Sequence, residues 1–178
     1  MSTPNDEAAG SSSRRARRPI AVTHTIAASA DEVWEAISAP GHLELVHPFC
    51  ERNPVMVWSG GSSRDEIHYR SGWVYTRTFT DWVDQVGYDL DIGGAGEATS
   101  HVRWRITPRL DGTCELAISV WPRHVTRIPV LRGILRRLVV GPMLRRYLQS
   151  VIKGVEWFVV RGEPVAANQF GSHPWFSR

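Results

Sequence analysis

Cysteine is scarce in this 178-residue chain, which has only Cys50 and Cys114. Two cysteines are too few for a disulfide framework, so both are expected to be buried free thiols in a reducing cytoplasm. A chain of this length folds as about one domain and buries enough surface to need no disulfide or metal staple. No apolar run approaches the roughly 18 residues of a membrane-spanning helix, so no transmembrane segment is predicted.

Motifs of the common catalytic and nucleotide-binding sites are also missing. The chain contains no GxSxG, no Walker loop, no GxGxxG and no CxxC. His42 and His47 are five residues apart, whereas two ligands on one helical face need a spacing of about three or four. The sequence therefore predicts no metal site and no cofactor.

Acidic residues are absent between Glu115 and Glu156. Inside this span, residues 131–155 read LRGILRRLVVGPMLRRYLQSVIKGV, which is strongly apolar and carries five arginines and one lysine. The net charge of the whole chain is only +3, so positive charge is concentrated here and in the N-terminal RRARR. Such a patch is typical of contact with anionic lipid, nucleic acid or an acidic ligand, and equally of a solvated surface.

The chain divides into three parts by composition. Residues 1–18 are small, polar and charged, so they are predicted to be a disordered basic tail, and they lack the apolar core of a secretory signal. Residues 19–162 hold the periodic apolar patterns of a folded domain. The polar segment 163–178 carries Phe170, Trp175 and Phe176, and three aromatic residues predict that this tail docks on the body.

Periodicity predicts one strand, two short helices, six strands and two further helices. The first strand covers residues 20–28, and Ser29 with Glu32 forms a capping box for the helix that follows. GHLELV (41–46) is a second short helix. The six alternating segments cover 53–60, 65–71, 73–83, 87–93, 100–108 and 113–122. The apolar period then changes to about 3.6, which predicts an extra basic helix over 129–140 and a long helix from Pro142 to near Gly162.

This order, together with the opening VTHTIAASADEVWEAISAPGHL and the closing helix, resembles the START and polyketide cyclase superfamily. The stretches HPFCERNPV, GYDLDIG and NQFGSHPWFS are similar to those of uncharacterised bacterial members. The resemblance implies an α+β helix-grip fold, in which a curved antiparallel sheet of about seven strands wraps the long C-terminal helix. It also implies a cavity between the sheet and that helix, and covers about residues 19–162.

Strand parity predicts which side chains line such a cavity. In 73–83 the more apolar face holds Tyr75, Phe79 and Val83, and it also places Arg77 and Asp81 inward. These two lie about 13 Å apart along the strand, so they are not expected to pair directly. A buried arginine requires a partner carboxylate or an acidic group of a ligand. The alternatives are a wet cavity mouth or a reversed parity.

Aromatic residues with polar tips complete the predicted pocket. The same parity turns Tyr69, Tyr88 and Trp104 inward, and together with Tyr75 and Arg77 they are the candidate ligand-binding residues. Plain core packing is the alternative for each of them. His47 lies in VHPFC, where the resemblance implies a cavity mouth, so His47 and Asp81 are the candidate acid–base groups. A structural role for His47 is the alternative.

The basic helix at 129–140 allows more than one interpretation. Its arginines, Arg132, Arg136 and Arg137, lie mostly off the apolar stripe, so the helix is either a lid for the core or a gate that contacts an anionic membrane surface. Each basic residue near such a surface contributes about 1 kcal/mol, which predicts salt-sensitive binding. Nucleic acid is disfavoured because aromatic residues are not interleaved with the basic ones.

Three functions remain open from the sequence. The first is non-catalytic binding or carriage of a hydrophobic small molecule, such as a lipid, quinone or polyketide-like compound, by a cytoplasmic protein that touches the inner membrane face. The second is an enzyme of the cyclase or dehydratase kind, which the resemblance implies would hold a reactive chain in shape with one or two acid–base groups. The third is a module that binds a protein partner through its basic face and its C-terminal tail.

Overall fold

The computed structural model describes residues 18–122 and 139–177. The strands are β1 (Ile20–Ile26), β2 (Cys50–Arg52), β3 (Val55–Val57), β4 (Arg64–Tyr69), β5 (Val74–Val83), β6 (Gly87–Gly93), β7 (Ser100–Pro108) and β8 (Cys114–Trp121). The helices are α1 (Ala30–Ser38), α2 (Leu43–Val46) and α3 (Gly141–Arg161). The predicted extra helix over 129–140 lies almost entirely outside the described residues. No helix within the described ranges is long and apolar enough to cross a membrane.

One curved antiparallel sheet carries all eight of these strands, in the order β1-β8-β7-β6-β5-β4-β2 with β3 also paired to β4. The first strand pairs with the last along its whole length, from Ile20 opposite Val120 to Ile26 opposite Cys114. The helices α1 and α2 therefore carry the chain from one edge of the sheet to the other. The long helix α3 contacts β1, β8, α1 and α2, so it lies in the grip of the sheet.

Alternation along the strands separates an inner apolar face from an outer polar one. In β8, Leu116, Ile118 and Val120 are buried while the residues between them are half-buried. The inner face packs against α3 through residues such as Ile152 and Val155, which are fully buried. This period-two pattern is what a sheet with one wet face requires, and the alternation in the sequence predicts it.

The helices begin and end where local chemistry predicts. The side chain of Ser29 accepts from the backbone N–H of Glu32 at 3.3 Å, and the carboxylate of Glu32 accepts from the backbone N–H of Ser29 at 2.8 Å. This is the expected capping box of α1. Pro142 lies in the first turn of α3, and the helix ends at Gly162, whose φ of 70° is the left-handed conformation that favours glycine at this position.

A very close approach joins α2 to α3. A Cβ atom added to Gly154 would lie 2.0 Å from the carbonyl oxygen of Val46, well inside van der Waals contact. His47 follows Val46 directly, and Tyr147 lies two helical turns before Gly154. The glycine therefore sets how closely the end of α2 can bring its residues to those of α3.

The strand predicted over 53–60 is wrong in its bounds, because two short strands flank Asn53 and Pro54 instead. Asn53 is buried, and its side-chain oxygen accepts from the backbone N–H of Leu43 at 3.2 Å. Its amide donates to the carbonyl oxygen of Glu66 at 2.7 Å and to the carboxylate of Asp65 at 2.9 Å. Asn53 thus ties α2 to β4, while Pro54 lacks the N–H that a continuous strand would use.

Charged residues form a network on the outer face of β6 and β7. Asp89 accepts from Arg103 at 2.7 Å and contacts Arg105 at 2.7 Å. The ring of His101 lies between Asp89, at 3.2 Å, and Asp91, at 2.9 Å. Hydrogen bonds to these two carboxylates raise the pKa of His101 to about 9, so it is a cation at neutral pH.

Stability is expected to fall at alkaline pH because of this histidine. A group whose pKa is raised on folding from 6.5 to about 9 contributes stability that is complete below pH 6.5 and is lost as pH rises through 9. Urea unfolding of the wild type and of His101→Gln between pH 6 and 10 measures the effect. The difference in unfolding free energy between the two proteins should shrink over that window, and a constant difference would contradict the assignment.

Candidate functional site

A cavity of about 140 Å³ lies between α3 and the inner face of the sheet. Aliphatic and aromatic side chains dominate its wall, and Arg77 is the one charged residue among the described residues that line it. The lining residues are Leu43, His47, Ile67, Tyr69, Tyr75, Arg77, Leu90, Ile92, Ser100, Val102, Trp104, Ile118, Val120, Pro122, Leu144, Tyr147, Leu148, Val151 and Phe176. A concave apolar pocket with a few convergent polar groups is the usual form of a small-molecule site.

The polar end of the cavity is a chain of three hydrogen-bonded side chains. Nε2 of His47, at the end of α2, lies 2.9 Å from the hydroxyl of Tyr147 on α3. The hydroxyl of Tyr147 lies 3.0 Å from that of Tyr69, the last residue of β4. Nδ1 of His47 accepts from the backbone N–H of Phe49 at 3.2 Å. Three separate elements thus meet at one point of the cavity wall.

Burial keeps all three groups of this chain uncharged. Loss of solvation, with the positive charge of Arg77 as the next contribution, lowers the pKa of His47 to about 3. Burial raises the pKa of Tyr69 well above its usual value and raises that of Tyr147 as well. At neutral pH the site therefore offers a neutral imidazole and two phenols. A pKa of about 3 is far from the value near 6.5 on which the acid–base suggestion for His47 was based.

Tyr147 is the member of the site that sequence reasoning missed. Periodicity places it on the apolar face of the long helix and predicts no more than a core position. Its signal was available, because Leu144, Tyr147, Leu148 and Val151 form one stripe at helical spacing and all four line the cavity. A tyrosine in such a stripe needs a partner for its hydroxyl when it is buried.

Arg77 lies on the inner face of the sheet, as strand parity predicted, and it forms an ion pair with a carboxylate of the protein. Arg77 is 3% exposed and Asp65 is 0% exposed. Nε of Arg77 donates to Oδ1 of Asp65 at 2.7 Å, and Nη2 donates to Oδ2 of the same carboxylate. Burial alone would lower the pKa of Arg77, but the hydrogen bonds and charge of Asp65 raise it. The cation therefore remains charged and is paired within the protein.

The remaining candidate ligand-binding residues divide into two groups. Tyr75 and Trp104 line the cavity, Tyr75 half-buried and Trp104 buried. Tyr88 does not line it, which corrects the prediction for that residue. Its ring is fully buried and stacks on Trp82 at 5.3 Å between ring centroids, and its hydroxyl donates to the carbonyl oxygen of Ile37 at 3.4 Å. Tyr88 belongs to the core beneath α1.

The inward placement predicted for Asp81 is also wrong. The register of β5 against β6 shifts between Phe79 and Asp81, so a β-bulge reverses the parity from that point. Asp81 is 55% exposed on the outer face, 3.6 Å from Arg105. Trp82 turns inward in its place and packs on Trp34 at 5.3 Å between ring centroids. Asp81 therefore lies away from the cavity in which it was a candidate acid–base group.

The C-terminal segment closes one side of the cavity. Backbone N–H groups of Val165 and Asn168 donate to the carbonyl oxygens of Leu45 and Pro48 at 2.8 and 3.0 Å. Further along, the ring of Phe176 stacks on Tyr69 at 4.5 Å and contacts Tyr147 at 4.6 Å between centroids. Phe176 is itself a lining residue, so the tail forms part of the site wall.

Two other predictions from the sequence concern membrane contact and metal binding. Arg132, Arg136 and Arg137, the predicted membrane contacts, lie outside the described residues. Within residues 18–122 and 139–177, no cluster of histidine, cysteine, aspartate and glutamate has the arrangement to hold a metal ion.

Taken together, a sheet that grips a long helix over an apolar cavity defines the helix-grip fold. A profile of the family described as polyketide cyclase / dehydrase and lipid transport matches residues 18–155. The chain belongs to this family. The predicted superfamily and fold class are thereby confirmed. A search of curated proteins by sequence finds no match.

Solved structures share the fold at low sequence identity. Norcoclaurine synthase from Thalictrum flavum is 18% identical, with a TM-score of 0.58 over 81% of this chain and 94% of that one. A protein from Thermus thermophilus is 19% identical, with a TM-score of 0.60 over 81% and 98%. DynU16, from the dynemicin biosynthetic locus, is 13% identical with a TM-score of 0.59 over 83% of this chain. The chain spans only 49% of the length of DynU16.

Proposed function

We propose that this protein binds a hydrophobic small molecule in the cavity between α3 and the sheet, as a carrier or sequestering protein. The observation that carries the proposal is the cavity itself, whose wall is mostly apolar and contains one neutral hydrogen-bonded cluster and one paired arginine. Apolar surface gains free energy when it leaves water for such a wall, at about 25 cal/mol per Å². Membership of the family supports the same class of ligand.

The size of the cavity limits what enters without rearrangement. At about 140 Å³ it is comparable to a protein cavity of roughly 150 Å³ that accepts benzene. One aromatic ring therefore fits the space that the described residues enclose. A longer lipid, quinone or polyketide-like molecule would extend from this ring-sized chamber toward its mouth.

Native mass spectrometry after gentle purification from the protein's own host, followed by solvent extraction, tests this proposal. A stoichiometric bound lipid, quinone or aromatic compound is the expected result. The variant Val102→Phe projects a larger side chain from β7 into the cavity and should lose that ligand. The matched variant Ala21→Phe, on the exposed face of the edge strand β1, should retain it. Equal occupancy in all three proteins would place the ligand elsewhere.

A cyclase or dehydratase activity is the second candidate, and the hydrogen-bonded chain of His47, Tyr147 and Tyr69 is the observation that favours it. Such a chain can hold a proton donor against a reacting group. The low pKa of His47, about 3, means that its protonation would not shape a pH–rate profile near neutrality. If the activity disappeared between pH 6 and 7, the group that titrates over that range would have to be one other than His47.

Contact with an anionic membrane surface is a further part of the proposal, and its support is the sequence. Residues 123–138 lie outside the described residues, and Arg132, Arg136 and Arg137 are among them. Their charge, next to apolar residues at helical spacing, is the pattern of a segment that lies on a membrane surface.

A further inference from the structure

We propose that the ligand of this cavity is uncharged and presents a hydrogen-bond acceptor, such as a carbonyl oxygen, to the hydroxyl groups of Tyr69 and Tyr147. This inference rests on the proposed function and narrows its ligand class. It follows from counting the protons shared by the hydrogen-bonded side chains of His47, Tyr147 and Tyr69, and from the charges of the residues that line the cavity.

The proton count begins at His47. Its Nδ1 accepts from the backbone N–H of Phe49, so in the neutral ring the proton is on Nε2. Nε2 therefore donates to the hydroxyl oxygen of Tyr147, 2.9 Å away. The direction of this first bond is set by the backbone and leaves no acceptor on the imidazole for a ligand.

The hydroxyl groups of Tyr69 and Tyr147 carry one proton each, and one hydrogen bond joins them. If Tyr147 donates to Tyr69 across the 3.0 Å contact, the O–H of Tyr69 remains free. If Tyr69 donates instead, Tyr147 accepts twice and its own O–H remains free. No other hydrogen-bond partner of either hydroxyl occurs among the described residues. In both arrangements one O–H donor is left at the cavity wall, and a buried donor without a partner is costly. An acceptor oxygen of the ligand satisfies it.

The charge balance excludes an ionised ligand. Arg77 is the one cation among the described lining residues, and both its Nε and Nη2 are bonded to Asp65. A carboxylate ligand would enter a wall whose positive charge is already matched, and an uncompensated buried charge is strongly unfavourable. An ammonium group has no acceptor to offer the free O–H, and it finds no unpaired carboxylate among the described lining residues. From the sequence, the charge of Arg77 could be compensated either by a carboxylate of the protein or by an acidic group of a ligand. In the structure Asp65 compensates it.

Three small probes of similar shape test the inference: acetophenone, isopropylbenzene and benzoate. Their dissociation constants are measured by calorimetry at pH 7 for the wild type, for the triple variant His47→Leu/Tyr69→Phe/Tyr147→Phe and for Tyr88→Phe. Both phenols are replaced because either one alone still leaves a free O–H, and His47 is replaced with them because its Nε2–H would otherwise lose its acceptor and become a new donor at the wall. Tyr88→Phe removes the same chemical group from a tyrosine outside the cavity.

The expected result has two parts. Benzoate should bind the wild type at least about tenfold more weakly than acetophenone. The preference for acetophenone over isopropylbenzene should fall about tenfold in the triple variant and stay unchanged in Tyr88→Phe. An infrared spectrum of acetophenone bound to the wild type provides a check without any substitution. Its carbonyl stretch should move to lower frequency than in an apolar solvent.

Each contrary outcome has a distinct meaning. Binding of isopropylbenzene and acetophenone with the same ratio in the wild type and the triple variant overturns this inference and leaves the proposed function standing. So does tight binding of benzoate at pH 7, or a carbonyl stretch identical to that in an apolar solvent. Failure of all three probes to bind the wild type overturns the proposed function together with this inference.

Discussion

Replacing Asp65 with Asn is expected to lower the free energy of unfolding by about 3–5 kcal/mol, because it leaves the buried cation of Arg77 without a counter-charge. The two residues face each other directly in the register of β4 and β5. Both are almost completely inaccessible to solvent, so water cannot replace the lost carboxylate. The amide of Asn keeps the size of the side chain, but it turns one acceptor oxygen into a donor that faces Arg77 or Asn53, and this adds to the loss. Guanidinium unfolding followed by tryptophan fluorescence measures the effect.

A matched control is available just beyond the bulge. Asp81→Asn removes an acid that is 55% exposed and 3.6 Å from its arginine, and it should change stability by less than about 0.5 kcal/mol. The double variant Arg77→Met/Asp65→Leu removes both charges and should recover much of the loss. If Asp65→Asn were no more harmful than Asp81→Asn, the pair would not be the buried, dry contact described above.

The partner of Arg77 could have been found in the sequence. The parity that turned Ile67 and Tyr69 inward applies equally to Asp65, two residues earlier on the same strand. Strand order then places β4 beside β5. What parity could not supply was the register between the two strands, which puts Asp65 opposite Arg77. Register depends on the turn that joins the strands and on side-chain packing, and neither is encoded in alternation alone.

The error at Asp81 has a different cause. A single extra residue in β5 reverses every side chain after Phe79. The apolar residues beyond the bulge, Trp82 and Val83, occupy adjacent positions, so alternation permitted either as the inward one. The structure selects Trp82 because Trp34 and Tyr88 provide aromatic surfaces against which it packs. A bulge of this kind is recognised only when both strands are seen together.

The C-terminal segment shows a third limit of sequence reasoning. Its three aromatic residues indicated docking, and hydrogen bonds from Val165 and Asn168 to the α2 region are present. That Phe176 would reach the cavity and stack on Tyr69 could not be predicted. Because the tail has no helical or strand periodicity, its sequence does not predict which side chains point toward the body. The residues that it contacts depend on the path of its backbone.

The neutrality of the cavity is the property that links these features. Asp65 matches the charge of Arg77 before any ligand enters, and burial keeps His47 and the two phenols uncharged. The outer face has the opposite character, with His101 held as a cation between two carboxylates. The sheet therefore separates a charged, solvated surface from an uncharged site that can discriminate among ligands by shape and by hydrogen bonds to neutral groups.

Replacing Gly154 with Ala is expected to destabilise the protein by about 2–3 kcal/mol. Helix propensity alone predicts the opposite sign, since alanine is favoured over glycine within a helix by about 1 kcal/mol. The new methyl group would lie 2.0 Å from the carbonyl oxygen of Val46, a backbone atom that cannot rotate away. Relief requires α2 and α3 to separate. Urea unfolding of the variant gives the sign, and an increase in stability would mean that the two helices are not held in this contact.

Separation of these helices should also impair ligand binding, because His47 follows Val46 directly and its hydrogen bond to Tyr147 crosses the same interface. Lys153→Ala changes the adjacent, exposed residue of α3 and should affect neither stability nor binding by more than a small amount. The decisive comparison is the affinity for acetophenone in Gly154→Ala at a temperature where the variant is still folded. A weaker affinity shows that the contact positions the polar chain, whereas an unchanged affinity in a destabilised variant confines the glycine to packing.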